Sequence, residues 1–320
     1  MKGNVTAIVY TKHHVAMSLV AISLSDFLAM EIEPQEAILE PWLNSRSLNM
    51  LHAKRGVGKT YMGLSIAYAV ATGTAYLKWK APKPRKVVYL DGEMSSFTLQ
   101  SRLKAISEAT PCESHLLKNL RIFTPDLQDG PIPDLADQQW HVAVRDFIED
   151  AELVIVDNLS CLARSGGPEN DAESWNVLAD WALKLRREGV AVLFMHHSGK
   201  SGQQRGTSRK EDILNVVMNL KHPVDYSPEM GATFEVHFEK GRELFGENSK
   251  PFIAKLVSGE AVHLWEIKDM EDSHYEQVVI KSNLGGLSPG DIAAELGLSK
   301  STVSRHQKRG REEGRIKKAV

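Results

Sequence analysis

The segment AKRGVGKT (53–60) sits between an apolar run, LNMLHA (48–53), and a stretch of helical period over 61–72. It departs from the pattern G-x-x-x-x-G-K-[ST] only in Ala53, which stands where the first glycine belongs. A strand that breaks through a glycine-containing loop into a helix is half of a βαβ unit. A parallel pair needs a long crossover, so the segment commits the chain to a layered α/β fold. Gly56 and Gly58 let the backbone wrap its N–H groups around phosphate oxygens, and the helix that follows adds the positive end of its dipole. Arg55, Gly56, Val57, Gly58, Lys59, Thr60 and Tyr61 form the candidate nucleotide site. Lys59 is expected on the β- and γ-phosphates, with the Thr60 hydroxyl on Mg²⁺ and ATP as the nucleotide. Alanine is small enough at 53 for the loop to survive, because Gly58, Lys59 and Thr60 carry the chemistry.

The rest of the chain supplies the expected alternation. KVVYLDGEM (86–94), LRIFTP (120–125), AELVIVDNLS (151–160) and VAVLFMHH (190–197) read as strands. Helical periods fall at 97–108, 140–150 and 171–188. The prediction is a largely parallel, doubly wound sheet with helices on both faces. From 216 to 265 the pattern turns hairpin-like. The apolar run VAMSLVAISL (15–24) lacks a convincing cleavage site and reads as a buried helix rather than a leader. No run of about 18 uncharged apolar residues occurs, so no membrane partner is expected. The two cysteines form no framework and point to a reducing cytosol. Three parts are expected: a helical entry segment over 1–40, the nucleotide domain over 41–268, and a small domain over 275–320.

Asp157 closes an apolar strand and is expected to hold Mg²⁺ with Thr60. Asn158 follows it, so no second acid is available there to activate water. Glu93, at the end of the strand YLD (89–91), is the expected base, with Asp91 as the rival. His196 and His197 end the later strand. They lack zinc-ligand spacing.

The small domain reads as a winged helix-turn-helix. Ser288 and Pro289 start one helix, Gly297 ends it, and Ser299 caps a second that carries Ser301, Thr302, Arg305 and Lys308 outward. EEGRI (312–316) reads as a short wing strand. From 300 to 320 eight basic residues face two acidic ones, a local +6 in a chain of net charge −2. This suggests duplex DNA as a partner, and a protein-docking module is the other reading. SGKSGQQRGTSRK (198–210) is polar and basic, and Lys200, Arg205, Arg209 and Lys210 are candidates for phosphate contacts.

With its phosphate loop, the acid after the second strand, IVDN (155–158) and the strand ending in two histidines, the stretch 40–265 resembles the RecA-like ATPases. Within them it looks most like the hexameric replicative helicases of the plasmid RepA and DnaB type. The resemblance implies a ring, probing single-stranded DNA in its channel with the 198–210 loop. It implies that His196 or His197 senses the γ-phosphate. It also implies that Lys240 and Arg242, in a K-x-R spacing, reach a neighbouring subunit's nucleotide. The function implied is an ATP-dependent helicase or translocase of plasmid, phage or mobile-element replication. An ATP-controlled DNA-binding regulator or loader is the alternative.

Overall fold

The computed structural model describes residues 20–165, 172–198, 211–258 and 263–316. The chain divides into two units, Met1–Pro34 and Gln35–Val320. In the first, helix α1 (Leu24–Ala29) is capped by Ser23, whose side chain accepts from the Asp26 backbone N–H. It lies later than the helix expected over 15–24, and none of its six residues is buried. Residues 15–19 lie outside the described residues.

The second unit opens with a short hairpin, β1 (Ala37–Leu39) and β2 (Leu43–Asn44). Its residues Ile38, Leu39 and Leu43 are fully buried, which moves the boundary expected at 40 back to 34. Then follow β3 (Leu48–Ala53), α2 (Lys59–Thr72), β4 (Ala75–Tyr76) and β5 (Trp79–Lys80). Next come β6 (Val87–Asp91), α3 (Ser96–Ala109), β7 (Leu120–Phe123), α4 (Gln138–Ile148), β8 (Leu153–Asp157) and α5 (Leu159–Leu162). The large sheet is completed by β9 (Ala191–His197) after α6 (Ala172–Arg187), and by β10 (Val216–Lys221), β11 (Thr233–Gly241), β12 (Phe252–Ser258) and β13 (His263–Asp269).

Among the described residues these strands build a nine-stranded sheet in the order β13-β12-β11-β10-β3-β9-β8-β6-β7. The strands from β10 to β7 run parallel, and β11, β12 and β13 extend the sheet by antiparallel pairing. The expected doubly wound sheet with helices on both faces is the fold that forms. Every residue of β3, β6, β8 and β9 is buried, as near-continuous apolar runs in a parallel sheet require. Side chains alternate between two cores. Leu51, Tyr89, Ile155, Leu193 and Met195 pack with α2 on one face. Met50, Val154, Val156, Val192 and Phe194 pack with Trp175, Leu178, Trp181 and Leu185 of α6 on the other. Helix α2 approaches the sheet at Gly63, where an added Cβ would lie 2.5 Å from the Met195 sulfur.

Three helices end the chain: α7 (Met270–Leu284), α8 (Pro289–Leu296) and α9 (Lys300–Glu312). They close on Val278, Ile292, Ala293, Leu296 and Val303. Helix α7 begins directly after β13, before the boundary expected at 275. Ser288 caps α8 in a capping box with Asp291, Gly297 ends it in the left-handed region (φ 63°), and Ser299 caps α9. The expected wing strand is absent among the described residues. The N–H groups of Arg315 and Ile316 return to the Gly310 carbonyl at 2.8 and 3.0 Å. Ile316 clusters with Tyr275 and Val279, so 312–316 folds back on its own helix instead of pairing as a strand.

Candidate active site

Strand register brings the ends of four parallel strands together, three of them polar. Ala53 pairs with His197, and Asp91 pairs with Asp157. The loops that leave these ends share one edge of the sheet, where α/β folds bind ligands. The 53–60 loop turns into α2 through Gly56 (φ 83°) and Gly58 (φ 119°), conformations that favour glycine. A Cβ at Gly58 would also press on Phe234 Cε1 at 3.3 Å.

Lys59 is only 6% exposed. Its ammonium donates to His197 Nδ1 at 2.9 Å and lies 3.4 Å from the Ala53 carbonyl. Burial pushes its pKa down, while Asp157 and Glu93 oppose the shift. Asp157 is buried, accepts from the Tyr89 hydroxyl at 2.6 Å, and is also hydrogen-bonded by Thr60. Burial dominates and raises its pKa. A buried carboxylate beside a threonine hydroxyl at a helix start fits Mg²⁺, since the cation would compensate a charge that the protein leaves costly. Gly56, Gly58 and the buried Lys59 likewise fit a phosphate chain.

Glu93 and Asp91 occupy different settings. The Asp91 side chain is fully buried, and both its oxygens accept from the Met94 backbone N–H, at 3.0 and 3.3 Å. It holds the turn that presents Glu93. Burial and the neighbouring Asp157 push its pKa up to about 7. The Glu93 side chain is 53% exposed, with its Oε2 2.5 Å from Asn158 Nδ2 and 3.6 Å from His197 Nε2. Of the two acids, Glu93 has the access to water that a base needs.

The two histidines separate. His197 points to the Lys59 side, and burial, with Lys59 beside it, lowers its pKa. Its neighbour in a strand points to the opposite face. His196 therefore lies on the face away from Lys59, in register with His52. Tyr61 leaves the loop edge-on to Trp265, with ring centroids 5.9 Å apart. Val57 is buried, and Arg55 is exposed close enough to lower the Lys59 pKa.

Lys240 and Arg242 do not reach their own chain's loop. Lys240 donates to the Glu211 carbonyl, and Arg242 to the Asp212 carbonyl at 2.7 Å. Gly241 pairs with Val216, which pairs with Asn49. That end of β3 is about 13 Å from Ala53 at roughly 3.3 Å per residue. Lys200, Arg205, Arg209 and Lys210 lie outside the described residues. On α9, the Ser301 and Thr302 hydroxyls each lie 2.8 Å from Ser299 Oγ. Arg305 faces Glu271 at 3.2 Å, and Lys308 faces Glu312 at 3.9 Å. The basic face of this helix is therefore partly matched by acids of its own module.

A polar network on the opposite face of the sheet went unread in the sequence. His52, within β3, bonds Ser198 Oγ at 2.9 Å and Glu239 at 2.8 Å. Asn219 donates to the same carboxylate at 2.6 Å. The hydrogen bond from His52, the largest cause, and that from Asn219 pull the Glu239 pKa down to about 2, against the opposing effect of burial. The one signal available was a histidine inside a strand that is apolar but for Asn49.

Fold and site together define a RecA-like P-loop ATPase domain. The chain belongs to the AAA domain family, whose model matches residues 16–203. Among solved structures it is similar to a KaiC-like protein of the hyperthermophilic archaeon Pyrococcus horikoshii. The two share 14% identity over 72% of this chain and 93% of that one, at a TM-score of 0.51. The flagellar accessory protein FlaH of Methanocaldococcus jannaschii is 12% identical over 69% of this chain and 90% of its own, at a TM-score of 0.49. No curated protein matches the chain in sequence.

Proposed function

We propose that the chain hydrolyses ATP with Glu93 as the general base. We further propose that a ring of copies, a hexamer, uses the hydrolysis to move along single-stranded DNA as a helicase or translocase in replication of a plasmid, phage or mobile element. The observation that carries the hydrolytic part is the cluster of Lys59, Asp157, Glu93 and His197 at one sheet edge. The backbone of 53–60 and Lys59 bind and orient the phosphates. Thr60 and Asp157 would hold Mg²⁺, which supplies charge to the phosphate oxygens. Glu93 accepts the proton of the attacking water, and His197 keeps Lys59 in place. Lys240 and Arg242 are proposed to serve a neighbour's nucleotide, consistent with their distance from their own loop. Lys200, Arg205, Arg209 and Lys210 would track the strand.

The test is ATP turnover with and without single-stranded DNA. A motor's turnover should rise several-fold with a mixed-sequence strand and stay flat with duplex. No response to any single strand contradicts the motor.

The capped pair α8–α9 with its own apolar core favours a second reading, a regulator or loader whose hydrolysis is a switch. On that reading Ser301, Thr302, Arg305 and Lys308 address duplex DNA. Removing residues 270–320 should then weaken duplex binding and flatten its salt dependence. Equal duplex affinity and salt slope without the tail would leave the tail as a protein-docking module.

A further inference from the structure

We propose that Asn158 is the positioning residue of the hydrolytic reaction, fixing the Glu93 carboxylate at the phosphate side of the site. The inference rests on Glu93 being the base. A half-exposed glutamate on a loop samples many rotamers unless a rigid partner holds it. Asn158 is such a partner. It is 1% exposed and follows Asp157 at the end of a fully buried strand. Its Oδ1 accepts from the Cys161 backbone N–H at 3.3 Å, as the N-cap of α5.

That bond decides which way the amide faces. With Oδ1 committed to an N–H, the amide NH₂ must face outward, where it meets Glu93 Oε2 at 2.5 Å. The opposite orientation would set a carbonyl against a carboxylate and a donor against a donor. His197 adds a second polar group beside that oxygen. Its Nδ1 takes the Lys59 proton bond, so a neutral ring carries its hydrogen on Nε2, which faces Glu93 Oε2 at 3.6 Å. Asn158 Nδ2 and His197 Nε2 lie 3.3 Å apart; Asn158 donates to Glu93 Oε2, and the imidazole faces the same oxygen from 3.6 Å without a hydrogen bond. Glu93 Oε2 is thus engaged by the protein, and Oε1 is left to take the proton of water. A second acid after Asp157 is unnecessary, because Asn158 fills that place as the holder of an acid borne on another loop.

The cap and the positioning role can be tested apart. Asn158→Ser keeps an N-cap oxygen for α5 but is too short to reach Glu93. Single-turnover and steady-state ATP hydrolysis should show a kcat about 10- to 100-fold lower. ATP affinity, read by a fluorescent nucleotide analogue, should stay within about threefold of wild type. The same substitution placed on Glu93→Gln should cost little more, since a holder without its acid does nothing. A melt of each variant by circular dichroism establishes that it folds. A normal kcat in Asn158→Ser overturns the proposal. So does a full further loss on top of Glu93→Gln, which would mean that Asn158 acts without Glu93. Normal hydrolysis by Glu93→Gln itself would instead overturn the choice of base, and the two failures are told apart by which single variant stays active.

Discussion

The Lys59 ammonium donates to His197 Nδ1 across 2.9 Å. A lysine can only donate, so this nitrogen carries the lone pair, and the ring is neutral. Burial and the adjacent Lys59 charge both favour that state. The partner is therefore an uncharged acceptor and not a carboxylate. The lysine is thus held in place by a neutral hydrogen-bond partner, which suits a residue that must meet phosphate oxygens.

The Asp91 carboxyl ties stability to pH. Its folded pKa is about 7, raised by burial and by Asp157. In an unfolded chain it titrates at about 3.9. A carboxyl raised in the folded state contributes fully at pH below the unfolded value, and the contribution is lost as pH rises through the folded one. The nucleotide-free protein should therefore lose stability between about pH 4 and pH 7 through this group. The melting temperature of Asp91→Asn should fall less over this range than wild type, by a few degrees. Identical pH profiles would mean that Asp91 is not protonated in the folded protein.

Gly63 sits where α2 presses on the sheet. A Cβ there would lie 2.5 Å from Met195 Sδ and 3.2 Å from the Tyr89 hydroxyl. Tyr89 is the donor to Asp157. Gly63→Ala should cost about 1–3 kcal/mol by overpacking, and it should slow hydrolysis by disturbing Asp157. Urea unfolding and ATP turnover measure the two effects. An unchanged midpoint would show that Met195 can move aside.

The strands that carry the site were legible because each is a largely apolar run, two of them ending in an aspartate and one in the glycine-containing loop. LNMLHA, YLD and IVD end at Ala53, Asp91 and Asp157, and the glycine loop needed only its neighbours to be recognised. Residues defined by register were not legible. Glu239 reaches His52 because the β10–β11 register shifts between Val217 and Met218, leaving Glu239 without a cross-strand partner. The choice between His196 and His197 likewise depends on which face each takes in β9. Gly63 reads as an ordinary helical glycine until Met195 is opposite it. The wing failed for a local reason, since Gly310 lets Ile316 close against α9.

Arg242 is held by the Asp212 carbonyl at an end of β11 remote from its own Lys59. If it serves a neighbour, Arg242→Ala and Lys59→Ala subunits, each inactive alone, should regain activity when mixed. A mixed assembly contains interfaces with an intact lysine on one side and an intact arginine on the other. At equal proportions about a quarter of such interfaces are intact, which sets the scale of recovery expected for a finger that acts in trans. Mixtures no more active than the separate variants would place its action within one subunit or remove it from catalysis.

The most direct test of the account is ATP turnover by Glu93→Gln and Lys59→Ala beside wild type, with nucleotide binding measured on the same samples. Glu93→Gln should bind Mg²⁺-ATP within a few-fold of wild type and hydrolyse it at least about 100-fold more slowly. Lys59→Ala should lose turnover by about 100-fold or more while its melt shows a folded protein. Wild-type turnover that either substitution leaves unchanged would contradict the assignment of this sheet edge as the hydrolytic site.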